Sequence, residues 1–519
     1  MEKKGKKKVM RDKVDIGNDD DDLCWWFAQG GIKTSFLCIA LFGLLVREAV
    51  SLHPYSGAGN PPKFGDYEAQ RHWMEITLNL PVKEWYRNST ENDLSYWGLD
   101  YPPLTAYQSY FHGLLLKYFD PDSVSLFASR GYESYFGKLL MRLTVLSSDA
   151  LIFFPAVFFF VLVYYGNRSH VRKSDVAWHV AVILINPCLI LIDHGHFQYN
   201  CISLGFTVGA ISAVLSQRNL VASVLFCLSL NHKQMSAYYA PAFFSHLLGN
   251  CLRQKNPLLE VLKLGLVVVG TFSIIWWPYL HSKDAILEVL LRLAPFERGL
   301  YEDYVANFWC TTSVLIKWKK LFTTQTLKNL SLAATILTCL PSMVQQIMSP
   351  SSKGFLYGLL NGSFAFYLFS FQVHEKSILL PLLPASLLVM ELCVPFEMLM
   401  HYALFSMFPL LCRDKLIAPY MALYALVFLL YFTPGRRRDG KFPHSAVLHS
   451  LLTFMYLCSI ILHIVYLTIR PPEKYPFLFE AIIMSLCFSN FTLLVFYTNS
   501  KQWMLSRQYT LRDNEKKSN

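Results

Sequence analysis

The chain has 519 residues, of which 53% are hydrophobic, 15% aromatic and only 16% charged, where an ordinary globular chain carries about 25% charged residues. With a mean hydropathy of +0.31, this excludes a set of soluble domains and predicts an all-α polytopic membrane protein. The net charge of +11 collects at the chain ends and in short loops between apolar runs, as topology signals do, and no nucleic-acid module accompanies it. Twelve cysteines include no C-x-x-C pair, and those at Cys38, Cys227 and Cys393 lie inside apolar runs, so neither a zinc site nor a disulfide framework is indicated.

Taken in order, residues 1–30 read as a polar cytosolic tail, with a lysine-rich run at 3–8 and Asp19–Asp22. No cleavable signal peptide follows. The first span is expected over Thr34–Leu52, interrupted late by Arg47 and Glu48, and the lysines before it predict exit into a lumen. Residues 53–140 then form a long hydrophilic luminal loop holding F-G-D-Y-E-A-Q-R-H-W (64–73), the sequon Asn88-Ser89-Thr90 and Y-W-G-L-D-Y-P-P (96–103). Loops of that length are usually functional. Tyr107–Phe119 spaces its apolar residues as a helix lying on the membrane surface does.

From Leu143 onward apolar runs alternate with short polar breaks. Spans are expected near 143–165, 176–193, 200–216, 219–230, 233–249, 260–280, 328–348, 354–372, 376–394, 396–412, 416–433, 446–469 and 476–497. Several fall short of the ~20 residues a crossing helix needs, so some pairs are expected to be broken, and the total is about 11 to 14. The organisation expected is a cytosolic tail (1–30), a catalytic membrane module (31–395) containing the loop 53–140, further helices (396–497) and a cytosolic tail (498–519). Lys516 and Lys517 stand where a dilysine retrieval address would.

Five polar clusters break the apolar background at expected membrane boundaries: 64–73, Asp100, L-I-D-H-G-H-F-Q-Y-N (191–200), residues 292–310, and F-Q-V-H-E-K-S-I-L-L (371–380). Ionisable groups at membrane depth are costly, which makes them functional candidates. Each also has a plain structural reading. His194 and His196 fit satisfied interface histidines, Asp193 a helix cap, and Arg298 with Glu302 an ordinary i,i+4 pair. His374 and Lys376 fit snorkelling residues, and Asp149 fits an ion pair with Arg142.

F-G-D-Y-E-A-Q-R-H-W, W-G-L-D-Y-P-P-L-T-A-Y, S-R-G-Y-E-S, H-F-Q-Y-N, the run from Arg298 to Cys310, P-S-S-K-G-F and F-Q-V-H-E-K-S-I-L-L together resemble the dolichyl-phosphate-glucose glucosyltransferases of the endoplasmic reticulum, over residues 50–390. The resemblance implies a GT-C-type enzyme of that membrane, with a luminal active site and both termini cytosolic. It implies dolichyl phosphate glucose as donor, a dolichyl-diphosphate oligosaccharide as acceptor, inversion at the transferred glucose, and no metal or other cofactor. G-D-Y-E-A-Q-R-H-W and F-Q-V-H-E-K-S look like the sibling that adds the first glucose, in α-1,3 linkage, to the nine-mannose acceptor. The sibling adding the second glucose is the alternative, and a polytopic lipid or sugar transporter is the rival from another class.

By the same resemblance Asp66 matches the catalytic base, with Asp100, Asp193 and Glu68 as supporting carboxylates. His374, Lys376, Arg298 and Arg71 are the cations expected to meet the donor phosphate. One departure stands out: Tyr304 occupies a position where the family pattern leads us to expect lysine.

Overall fold

The computed structural model describes residues 25–166, 171–293, 304–431 and 446–518. Every regular element among the described residues is helical. The first membrane helix, α1 (Trp25–Ser51), leads into a module made of α2 (Gly65–Asn79) and α3 (Pro103–Phe119). Pro103 opens α3 at a position where its missing N–H costs nothing. One face of α3 buries Ala106, Ser109, Gly113 and Leu116, while Phe111, Leu114, Leu115 and Tyr118 point outward. Gly113 is where α3 meets α2, since a Cβ there would lie 2.8 Å from the Leu78 side chain. An apolar outer face over a packed inner one is the pattern of a helix lying at a membrane interface.

Helix α4 (Tyr135–Ser148) starts on a Ser134 cap, with Gly137 N donating to its hydroxyl. It runs through a π turn at Asp149–Phe153 into α5 (Phe154–Gly166). Helices α6 (Lys173–Leu184) and α7 (Pro187–Ile190) then lead into a second π turn, Leu191–Phe197. The bundle continues with α8 (Asn200–Leu215), α9 (Asn219–His232), α10 (Ala240–Cys251) and α11 (Pro257–Trp276). Later helices span Thr324–Met348, Ser352–Phe369, Leu379–Leu387, Cys393–Ser406, Phe408–Arg413, Ile417–Tyr431, Ala446–Thr468 and Leu478–Ser518.

Among the described residues seven helical segments are long and apolar enough to cross a membrane, and Asn200–Leu215, Asn219–His232 and Ile417–Tyr431 are shorter apolar helices. The stretch 173–197 is almost wholly buried at the centre of the bundle, whereas 257–279 is almost wholly exposed, leaving Leu258, Leu262, Leu266 and Val269 to contact lipid tails.

The bundle is pinned by a buried charge cluster that differs from the expected one. Asp149 pairs with Arg47 (2.9 Å) and with His194 (2.6 Å), all without solvent exposure, and not with Arg142. Two helical turns, about 10 Å of rise, separate residues 142 and 149. Arg142 reaches the other way, donating to the Gly195 carbonyl at 2.9 Å. Arg47 also donates to the Leu184 carbonyl (2.8 Å), which ties α1 to the end of α6.

Candidate active site

The 53–65 segment folds back on itself before α2. Gly57 holds φ +78, and a Cβ there would lie 2.1 Å from the Phe64 carbonyl carbon, so only glycine fits that close approach. Phe64 and Gly65 follow with φ 57 and 68, and Asp66 emerges in the first turn of α2, where the helix dipole favours a carboxylate. Asp66, Ala69, Gln70 and Trp73 line a cavity of about 810 Å³.

One oxygen of Asp66 is crowded. Its Oδ2 accepts from Lys376 Nζ (2.6 Å) and Gln198 Nε2 (2.6 Å) and lies 3.0 Å from His196 Nε2, which is also 3.1 Å from Lys376 Nζ. Those groups are themselves held. Gln198 Oε1 accepts from Lys233 Nζ (2.9 Å) and Asn200 Nδ2 (3.2 Å), and His196 Nδ1 lies 2.5 Å from Asp414 Oδ2. Phe197, with φ 93, turns the chain between His196 and Gln198, and both side chains reach the same carboxylate. Among the described residues the other oxygen, Oδ1, has no hydrogen-bond partner. Burial opposes the Asp66 charge, but the Lys376 ammonium and His196 outweigh it and hold the carboxyl well below the usual carboxylate range.

Asp100, His374 and Lys376 line the same cavity as Asp66. Arg292, also in its wall, donates to the carbonyls of Gly98 (2.8 Å) and Leu99 (2.9 Å) and so fixes the L-D-Y-P-P segment. Three of the residues expected at the site, Arg71, Glu68 and Asp193, face elsewhere. Arg71 is 1% exposed; it bridges Glu68 (2.7 Å) and Glu75 (2.8 Å) and donates to Ser129 Oγ (2.6 Å) and the Ser123 carbonyl (2.9 Å). Residues 68, 71 and 75 share a helical face turned away from the one carrying Asp66, and they fasten α2 to the 123–131 loop. Neither Arg71 nor Glu68 is placed to meet a substrate. Burial would raise Glu75, but His72 and Arg71 bring it down to about 2.

Asp193 is likewise buried and outside the cavity wall. It accepts from Asn200 Nδ2 and from the Cys201 amide, both at 2.7 Å, which makes it a cap for α8. Arg298 and Glu302 lie outside the described residues. Tyr304 packs its ring 5.3 Å from that of Phe477. Asn307 caps a short helix, its Oδ1 accepting from Cys310 N at 2.8 Å, and Trp309 donates to the Phe369 carbonyl at 2.7 Å. The V-A-N-F-W-C run thus anchors the segment that carries His374 and Lys376.

Sequence reasoning marked the 191–200 cluster that holds His196 and Gln198 without naming either as a site residue, gave His196 the plain reading of an interface histidine, and missed Lys233 and Asp414. The signal available for Asp414 was a carboxylate set between Arg413 and Lys415 at a break in apolar sequence.

Residues 38–497 match the ALG6, ALG8 glycosyltransferase family. The chain belongs to that family. It is 66% identical over 504 residues to a probable dolichyl pyrophosphate Man9GlcNAc2 alpha-1,3-glucosyltransferase of Arabidopsis thaliana, covering 96% of this chain and 95% of the relative. It is 42% identical to the dolichyl pyrophosphate Man9GlcNAc2 alpha-1,3-glucosyltransferase of Rattus norvegicus (89% and 95% covered), and 39% identical to a probable enzyme of the same name from Schizosaccharomyces pombe (89% and 90%). For an ALG6, ALG8 glycosyltransferase, the cavity offers a carboxylate anchored by one oxygen and open at the other, with Lys376, His374 and Lys233 within the same wall.

Proposed function

We propose that the chain transfers the first glucose, in α-1,3 linkage, from dolichyl phosphate glucose to the nine-mannose dolichyl-diphosphate oligosaccharide at the luminal face of the endoplasmic reticulum membrane. The observation that carries this reading is the Asp66 carboxylate, ionised and rigidly held, with Oδ1 open to the cavity. The names carried by the relatives supply the acceptor and linkage.

In the proposed reaction Asp66 Oδ1 accepts the proton of the acceptor mannose hydroxyl as its oxygen attacks C1 of the donor glucose. The bond from C1 to the phosphate oxygen breaks on the opposite side, and dolichyl phosphate leaves with the electron pair. A single displacement inverts C1 and needs no covalent intermediate, consistent with a β-linked donor and an α-linked product. The phosphate gains charge as it leaves, and His374 and Lys376 are the groups we assign to it, since fixed cations in a water-poor site stabilise such charge strongly.

Lys376 has a second role in this scheme. In the free site it neutralises Asp66; drawn to the donor phosphate, it frees the carboxylate to act as a base only when donor is bound. Those side chains supply the positive charge, so transfer is expected to persist in EDTA; activity lost in chelator and regained with Mn²⁺ or Mg²⁺ would contradict this. The test of the function itself is glucose transfer by purified protein to the nine-mannose acceptor. Transfer only to an acceptor that already bears one glucose would assign the sibling reaction instead.

A further inference from the structure

Asp414 ends the helix Phe408–Arg413, in the part of the chain for which the sequence suggests no chemistry. A carboxylate at a helix C-terminus faces the negative end of the dipole, and its side chain is only 8% exposed. The backbone nevertheless fixes it there. Asp414 N donates to the Leu410 carbonyl (3.2 Å), Leu416 N donates to the Leu411 carbonyl (2.9 Å), and Lys415 between them holds φ 60. A lysine in the left-handed region costs conformational energy and persists where its surroundings over-determine it. Among the described residues the one hydrogen-bond partner of the Asp414 carboxylate is His196 Nδ1, and the other nitrogen of that ring faces Asp66.

We propose that Asp414 and His196 are positioning residues for the base: Asp414 fixes the His196 ring, and His196 holds Oδ2 of Asp66 so that Oδ1 meets the acceptor hydroxyl. The inference rests on the reading of Asp66 as the base. A carboxylate faces each nitrogen of the ring, so the pair acts with His196 as the imidazolium, Nδ1 donating to Asp414 and Nε2 donating to Asp66. The other two donors on Oδ2 differ in kind. Lys376 is the group that a phosphate draws away, and Gln198 is neutral. When the donor is bound, the Asp414–His196 pair is the charged restraint that stays on the carboxylate, beside the neutral Gln198. Its contribution therefore falls on turnover rather than on binding of either lipid.

The experiment uses the full-length protein in detergent, with dolichyl phosphate glucose and the nine-mannose acceptor, measuring kcat and both KM values. The variants are Asp414→Asn, which is isosteric, His196→Gln, the two combined, and Asp414→Glu, which keeps the carboxylate. Asp414→Asn and His196→Gln should each lower kcat roughly 100-fold with both KM values changed less than about threefold, the scale of loss when a reacting group is misplaced. The double variant should be no slower than His196→Gln, because Asp414 acts through the ring. Asp414→Glu should recover much of the loss. Unchanged kcat in Asp414→Asn, losses that multiply in the double variant, or a loss that Asp414→Glu shares in full would overturn the proposal. Asp66→Asn run alongside separates the two claims: if it still transfers glucose the base assignment fails, whereas an inactive Asp66→Asn with a normal Asp414→Asn sinks only the positioning role.

Discussion

Asp66 is a quarter exposed, with a side-chain accessibility of 27%, yet it is held ionised by Lys376 and His196 against the opposing effect of burial. A carboxylate whose pKa is depressed on folding contributes stability above its unfolded value of about 3.9, and that contribution is lost as pH falls through the lower folded value. The base role proposed for it follows the same direction, present when ionised and lost on the acid side. Lys376→Met removes the largest opposing charge, so the acid limb of kcat/KM should move up to the ordinary carboxylate range or beyond. The same variant should lower kcat by about 100-fold through loss of phosphate stabilisation. A pH–rate profile with an unmoved limb would contradict the pairing. Asp66 and Lys376 were legible in the sequence because a carboxylate and a cation each stand at a break in apolar sequence. The pairing of His196 with Asp414 was not, because 218 residues separate them.

At the scale of elements, the polar residues of α2 divide by face. The face with Asp66 looks into the cavity, and the face with Glu68, Arg71 and Glu75 is a buried ionic staple to the 123–131 loop. Helical spacing gives which residues share a face, but not which face meets the cavity, and that is why Arg71 read as a phosphate ligand. Arg71→Met should therefore lower the melting temperature of the protein without a selective rise in the donor KM; the opposite split would return Arg71 to the site. Deeper in the bundle, Arg47, Asp149 and His194 join three segments through charges with no water access. Replacing Arg47 by Met leaves Asp149 without its cation, and a loss of about 3–5 kcal/mol is expected. Thermal denaturation in detergent measures it, and a change under ~1 kcal/mol would show that His194 alone satisfies the carboxylate. Both π turns, at 149–153 and 191–197, bring charged residues inward, and no hydropathy period announces them, since they change the turn by a single residue.

For the whole molecule, the membrane class followed from composition, and so did the shortness of some apolar runs, as the one expected near 219–230 shows. The helix Asn219–His232, of 14 residues, is too short to span alone. The long 53–140 region was legible as the site's carrier because it concentrates polar and aromatic residues outside the spans. The approach of Asp66 to His196, Gln198 and Lys376 was not, because tertiary approach of distant segments leaves no local mark. Asn88 is exposed on this module, and its side-chain oxygen accepts from Leu94 N at 3.2 Å. If the module is luminal, the protein made in cells should carry a glycan there, seen as an endoglycosidase-sensitive mass shift lost in Asn88→Gln; a persistent unmodified mass would argue against that placement.

The most direct measurement is cell-free transfer by purified protein, with dolichyl phosphate glucose and the nine-mannose lipid-linked acceptor, comparing wild type with Asp66→Asn. Wild type should add a single glucose and the variant none, at an unchanged melting temperature. Transfer by the variant at the wild-type rate, or no transfer by wild type to that acceptor, would contradict Asp66 as the base of a first-glucose transferase.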